Sequence, residues 1–179
     1  MKRSDINPLP QYYDRYINLV PDVELSEAFA GSMQQLDQLD RTLLARIADQ
    51  PYSPGKWTVK DIIQHLSDSE RIMCYRALMI ARRDDGILAG FEQDDFAANA
   101  NANRRTLDDL LDELVSVRRA SKALYDSFDD DALRARGRSW EYEVSVADLA
   151  FIILGHQIHH FNVIAEKYSA LEASKTASL

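Results

Sequence analysis

Apolar residues recur every three or four positions along four stretches of this chain, and polar segments separate the stretches. The first runs from Glu24 to Ala48, where Leu25, Phe29, Met33, Leu36, Leu39, Leu43, Leu44 and Ile47 form one stripe. That spacing predicts an amphipathic helix, and Pro51 followed by Pro54-Gly55 predicts its end. The second runs from Thr58 to about Arg83, with Val59, Ile62, Ile63, Leu66, Met73, Ala77 and Ile80 as its stripe. The third begins at Thr106 and carries Leu107, Leu110, Leu111, Leu114, Val117 and Leu124. The fourth runs from Ser145 to about Tyr168. Thr58, Thr106 and Ser145 are each followed three positions on by an aspartate: Asp61, Asp109 and Asp148. A hydroxyl and a carboxylate at that offset can satisfy the free N–H groups of a first turn, so all three sites predict helix starts.

Two connections are long. The segment 84–105 contains Phe91-Glu-Gln-Asp-Asp-Phe96 and an Asn/Ala alternation from Ala97 to Asn103. Connections of this length are usually functional or locally ordered. The segment 129–144 carries a short helical turn at Asp131–Arg134. Its alternating run from Arg138 to Val144 then predicts a small extended excursion. There is no internal repeat and no interdomain linker. The pattern predicts an all-α chain: one domain over residues 1–179 with its core at about 22–170, built as a four-helix bundle. A partly ordered amino-terminal arm and a tail fraying after Leu171 complete the expectation.

Composition narrows the setting. A chain of 179 residues is long enough to bury a core without staples, and 6 glycines with 5 prolines leave little room for a turn-rich β fold. The single cysteine, Cys74, excludes an internal disulfide framework and fits a reducing compartment. No apolar stretch of signal-peptide length follows Met1, and the apolar run Val144–Leu154 is too short to cross a bilayer. A cytoplasmic protein with no membrane partner is expected. The net charge of −8, with Arg82-Arg83, Arg104-Arg105 and Arg118-Arg119 set among acids such as Asp84, Asp85, Asp108 and Asp109, argues against nucleic-acid binding.

The four histidines change this picture. His156 and His160 lie four apart in Leu154-Gly-His-Gln-Ile-His-His-Phe161, on one helical face with Leu149, Ile152, Ile153 and Val163. Phe151, Leu154, Ile158, Phe161 and Ala165 fall on the opposite face, so the fourth helix is apolar nearly all round. Imidazoles in such a segment need partners. A shared metal ion is one solution, and a buried carbonyl or carboxylate for each ring is the other. His65, on the second helix between Ile62 and Leu66, can supply a third nitrogen and leave coordination positions open. His159 lies off the face centre and reads as a proton shuttle or interface residue in preference to a fourth ligand. Asp68 is either a group that orients His65 or a solvated acid, the latter favoured. Glu70 falls near the centre of its stripe, where a carboxylate needs a partner; an ion pair with an arginine such as Arg76 or Arg118 is expected. The run His156-Gln-Ile-His-His160 has the His-x-x-x-His frame of zincin peptidases, but Gln157 stands where their glutamate base is required. Peptidase chemistry is thereby disfavoured. Trp57 and Tyr142 are candidate pocket-wall residues, with a core aromatic that closes the bundle as the equal alternative for Trp57.

The run Pro54-Gly-Lys-Trp-Thr-Val-Lys-Asp-Ile-Ile-Gln-His-Leu-Ser-Asp-Ser-Glu-Arg71, then Tyr75-Arg-Ala-Leu78, Gly155-His-Gln-Ile-His-His-Phe161 and Tyr168, resembles the DinB/YfiT-like metalloenzyme family. The blocks match in order and spacing over most of residues 20–170. The resemblance implies a DinB/YfiT-like four-helix bundle, a mirror variant of the up-and-down topology, forming a homodimer. It implies a divalent metal (Ni, Zn, Fe or Mn) held by His65, His156 and His160. It also implies metal-dependent hydrolysis or thiol-dependent S-transfer on a small-molecule substrate, with a low-molecular-weight thiol in the latter case. In the mycothiol-dependent isomerase branch one fourth-helix ligand is a glutamate; histidine stands here, so that branch's substrate does not transfer. The rival expectation is a non-catalytic bundle with a structural metal or a dimerisation role.

Overall fold

The computed structural model describes residues 1–84, 86 and 88–168. Among them the chain forms α1 (Asp14–Ile17), α2 (Leu25–Asp37), α3 (Arg41–Ile47), α4 (Val59–Ala81), α5 (Gln93–Ala100), α6 (Leu107–Asp126) and α7 (Asp130–Arg134). A hairpin of β1 (Arg136–Ser139) and β2 (Tyr142–Ser145) leads into α8 (Val146–Val163) and a π-helical turn, Ile164–Tyr168.

Local chemistry explains the boundaries. Thr58 and Asp61 form a reciprocal capping box at the start of α4, and Ser145 and Asp148 form another at α8. Thr106 caps α6 by accepting from the Asp109 amide, whereas the Asp109 carboxylate turns to Arg105 at 2.7 Å. The predicted helix from Glu24 to Ala48 is two helices. Its chain breaks at Gln38, and the Asp40 carboxylate accepts from the Leu43 amide at 2.9 Å to start α3. The apolar stripe continues through the break, which is why periodicity alone hides it. The long 84–105 connection contains α5 and a 3-10 turn, and the run Arg136–Ser145 pairs antiparallel, with Arg136 opposite Ser145 and Ser139 opposite Tyr142.

The four long helices α2, α4, α6 and α8 make the bundle. Both α4 and α2 pack against α6 and α8, so α2 and α4, consecutive among the long helices, do not form a packed pair. Each long helix runs through two apolar clusters. One contains Phe29, Met73, Tyr125 and Leu149–Leu154; the other contains Leu36, Val59, Ile62, Ile63, Leu66, Leu107, Leu110, Leu111, Leu114 and Ile164. Between them each helix contributes a buried polar side chain to one network: Ser32, Glu70, Arg118 and Gln157. Arg118 holds Glu70 through Nε and Nη2, both at 2.8 Å, and donates Nη1 to Ser32 Oγ at 2.6 Å. Gln157 donates to the Ser32 carbonyl at 3.2 Å. A hydrogen-bonded belt therefore links all four helices.

The amino-terminal arm departs from expectation. Ile6, Tyr13, Ile17 and Val20 are buried, and α1 lies against α8. The contact depends on Gly155, where a Cβ would stand 2.0 Å from the Tyr16 carbonyl oxygen. The tail after Leu171 lies outside the described residues. Among the described residues, no helix is long and apolar enough to cross a membrane.

Removing one partner of a buried ion pair strands the other charge. Arg118→Leu is therefore expected to cost about 3–5 kcal/mol in urea denaturation, and Glu70→Leu with Arg118→Leu to recover most of it. Equal losses in the single and double variants would contradict this coupling. Gly155→Ala should cost about 1–3 kcal/mol by pushing α1 off α8. Faster proteolysis within residues 1–20 is the second readout, and an unchanged rate would argue against the docking.

Candidate metal centre

The capping box at Thr58 fixes where α4 begins and so places His65 on its buried face, almost two turns in. The box at Ser145 does the same for α8, and His156 and His160 then stack one turn apart. Because α4 packs along α8, the three rings meet. Nε2 of His65 lies 3.2 Å from Nε2 of His156, and Nε2 of His160 lies 3.0 Å from the same atom. The ligand atoms of all three lie within 4.8 Å of one another.

This convergence fits a metal ion. Nitrogens bound to one ion at about 2.0–2.1 Å stand about 3.0–3.4 Å apart, depending on coordination geometry. Lone pairs facing each other at such distances repel unless a ring N–H or a cation lies between them. His65 Nδ1 lies 3.3 Å from Ser69 Oγ, so an Nδ1–H donated to that hydroxyl leaves the Nε2 lone pair free for a ligand role. Burial favours the uncharged rings. It lowers the pKa of His65 from 6.5 to about 4, with Asp94 opposing, and that of His160 to about 3. His156 is shifted well below the ordinary value, first by burial and then by the neighbouring imidazoles. All three are the neutral form that coordinates metal.

The residues around the cluster sort differently from their sequence neighbours. Ser69, at i+4 from His65, takes the orienting place considered for Asp68. The Asp68 carboxylate instead accepts from Gln64 at 2.9 Å and is half-buried. The i+4 spacing was the available signal for Ser69. Gln157 points away, toward α2, and donates to Gln35 and the Ser32 carbonyl. His159 is outside the converging set and packs edge-on against Tyr16 at 5.4 Å. Trp57 does form wall: its ring lies 4.7 Å from that of His65 and near-parallel to His160 at 6.3 Å. Tyr142 backs the wall rather than lining it, stacked on Tyr12 at 5.6 Å. Tyr16, 5.2 Å from the His156 ring, comes from the arm and has no signal in the sequence.

Two hollows reach the histidines. An inner cavity of about 80 Å³ touches His65 and His156, together with Tyr13, Arg76, Phe91 and the paired Glu70 and Arg118. An open cleft of about 590 Å³ touches His160 and His159 from the other side, beside Trp57, Lys56 and Asp94. Tyr12, Tyr16, Phe91 and Trp140 border both. Tyr12 and Trp140 sit at φ of 73° and 55°, conformations that glycine adopts at less cost. At Trp140, in the hairpin turn, that backbone holds the indole against Gly90, where a Cβ would come within 2.8 Å of the ring.

Residues 28–164 match the family model of the DinB superfamily. The chain belongs to the DinB superfamily. Among solved structures, this DinB-superfamily chain is similar to YfiT from Bacillus subtilis, described as a probable metal-dependent hydrolase with an unusual four-helix bundle topology. That match has 18% identity and a TM-score of 0.64, covering 89% of this chain and 87% of YfiT. It is also similar to a mycothiol-dependent maleylpyruvate isomerase, at 11% identity and a TM-score of 0.60, covering 89% of this chain and 61% of that one. At these identities the likeness is one of fold, a four-helix bundle of the YfiT type. No curated protein sequence gives a significant match.

The histidine pKa values set a pH window for the metal-free protein. A depressed folded-state pKa gives stability that is complete above the unfolded value of 6.5 and is lost as pH falls through about 4 for His65 and about 3 for His160. Thermal melts in chelator should show a midpoint falling from pH 6.5 towards 4, with a shallower slope in His65→Asn/His160→Asn. Identical slopes would show that these rings are not buried uncharged.

Proposed function

We propose that this chain is a metal-dependent enzyme in which His65, His156 and His160 hold one divalent ion, with hydrolysis of a small molecule as its leading reaction. The observation that carries the reading is the convergence of three uncharged imidazole nitrogens beside hollows a substrate can enter. A divalent ion with open positions supplies Lewis acidity, lowering the pKa of a coordinated water or thiol and polarising an electrophile. Three neutral ligands leave that ion its full double charge. The chain's part is to orient His65 through Ser69, to seat the rings between Trp57 and Tyr16, and to limit solvent with the aromatic border. YfiT, the neighbour matched over most of its length, is described as a probable metal-dependent hydrolase, which supports the same reading.

A second reading, transfer to a low-molecular-weight thiol, has a specific observation behind it. Both oxygens of Glu70 are taken by Arg118, and Gln157 faces α2, so neither serves as a base for water in the inner cavity. A thiol, with its lower intrinsic pKa, needs less help to ionise. It would come from outside: Cys74 is bonded to Ser121 and burial pushes its pKa up to about 11. The maleylpyruvate isomerase that shares the fold is mycothiol-dependent.

Protein purified without chelators should carry about one divalent ion per chain by elemental mass spectrometry. His156→Ala should lose it with an affinity drop beyond about 100-fold, and Ser69→Ala should lose about 10–100-fold. Wild-type protein that neither contains nor takes up metal would end the proposal. Unfolding on metal removal would instead favour a structural ion. Turnover of esters or amides by loaded protein without added thiol separates hydrolysis from transfer.

A further inference from the structure

Arg76 is a buried cation that meets no carboxylate among the described residues. Its side chain, on α4, is 3% exposed and borders the inner cavity with His65 and His156. The guanidinium donates Nη2 to the Ala89 carbonyl at 2.6 Å and Nη1 to the Met73 sulfur at 3.6 Å; among the described residues no carboxylate pairs with it. The nearby Glu70 is unavailable, because Arg118 binds both of its oxygens. Arginine stays protonated, so this charge persists even though burial lowers its pKa. An uncompensated charge in a low-dielectric site is costly. An anion entering the cavity would remove that cost and meet a planar group suited to a carboxylate.

The walls define the rest of the ligand. Phe91 has its ring centre 6.0 Å from the Arg76 Cζ, Ile152 and Ile153 add apolar surface, and the Tyr13 hydroxyl faces the guanidinium as a neutral polar neighbour. We propose that Arg76 is the anchor for a small organic carboxylate, whose body lies on this apolar wall and whose far end faces the His65–His156 side of the cavity. This deepens the metalloenzyme reading and rests on it for the ligand's role as substrate. The cavity's positive charge is also notable in a chain of net charge −8, where an anion would otherwise be repelled.

The test is calorimetric titration of metal-free protein at constant ionic strength with benzoate, propionate, benzamide and inorganic phosphate. Benzoate or propionate should bind, and benzamide, isosteric with benzoate but uncharged, should bind at least about 10-fold more weakly. Arg76→Gln should weaken carboxylate binding about 10–100-fold while metal uptake stays at the wild-type level. If that variant does not fold, Arg76→Lys replaces it; its point charge should lower the affinity several-fold. Carboxylate binding unaffected by either folded variant, tighter binding of phosphate, or no binding by the wild type would overturn the proposal. Metal titration keeps the two readings apart. Arg76-dependent benzoate binding without metal uptake would uphold the anion site and end the metalloenzyme reading; metal uptake without carboxylate binding would do the reverse.

Discussion

A buried hydrogen-bonded belt across the four long helices is the constraint on which the rest of this structure depends. Arg118 reaches Glu70 on α4 and Ser32 on α2, and Gln157 on α8 reaches the Ser32 carbonyl. Apolar packing is non-directional and tolerates sliding of one helix along another. A two-point Arg–Glu contact does not, because an axial shift of one turn strands two charges out of water. The belt therefore sets the alignment of α4 against α6, α6 against α2 and α2 against α8. The two apolar clusters form on either side of it. His156 immediately precedes Gln157 and His65 lies five residues before Glu70, so the histidine cluster sits beside the belt and inherits its alignment.

Within that frame, the packing of α8 decides the state of the histidines. Residues Val146 to Gly155 are all buried, and the helix is enclosed by α1, α2, α4 and α7. Burial disfavours the imidazolium form and points uncharged nitrogens at one another, an arrangement that a cation relieves. The same helix turns Gln157 toward α2, so the position that would carry a peptidase base is occupied with structural work. One helix thus uses adjacent residues for two tasks, and the 100° step between them keeps the tasks apart.

The amino-terminal arm completes the site. Gly155 lets the α1 backbone approach α8, which brings Tyr16 against His156 and His159. Tyr12 and Trp140, both held at positive φ, add the aromatic rim shared by the two hollows. Strained backbone at a cavity mouth persists where surrounding packing over-determines it. Here it coincides with the border of the histidine cluster and with the cavity that holds Arg76.

Much of this was legible in the chain. Hydrophobic period and the hydroxyl–aspartate offsets located the starts of α4, α6 and α8, because capping and amphipathicity act between residues at most a few positions apart. The i, i+4 spacing of His156 and His160 and the stripe position of His65 showed which faces they share with the core. Other features depended on which helices become neighbours. The stripe through Leu36, Leu39 and Leu43 concealed the break that Asp40 caps, since both helices bury the same side. Glu70 called for an arginine, but Arg76 and Arg118 were equal candidates until α6 was placed beside α4. That choice left Arg76 without a carboxylate partner among the described residues. Ser69 and Asp68 were separable only once the His65 ring direction was known, and Tyr16 joined the site through a glycine contact between segments about 140 residues apart. Sequence alone determined the helical stretches of the bundle, their buried faces and the candidate ligands, because those follow from local periodicity. Tertiary structure alone decided which buried charges pair and which remain to meet a ligand, because that depends on distances between helices remote in the chain.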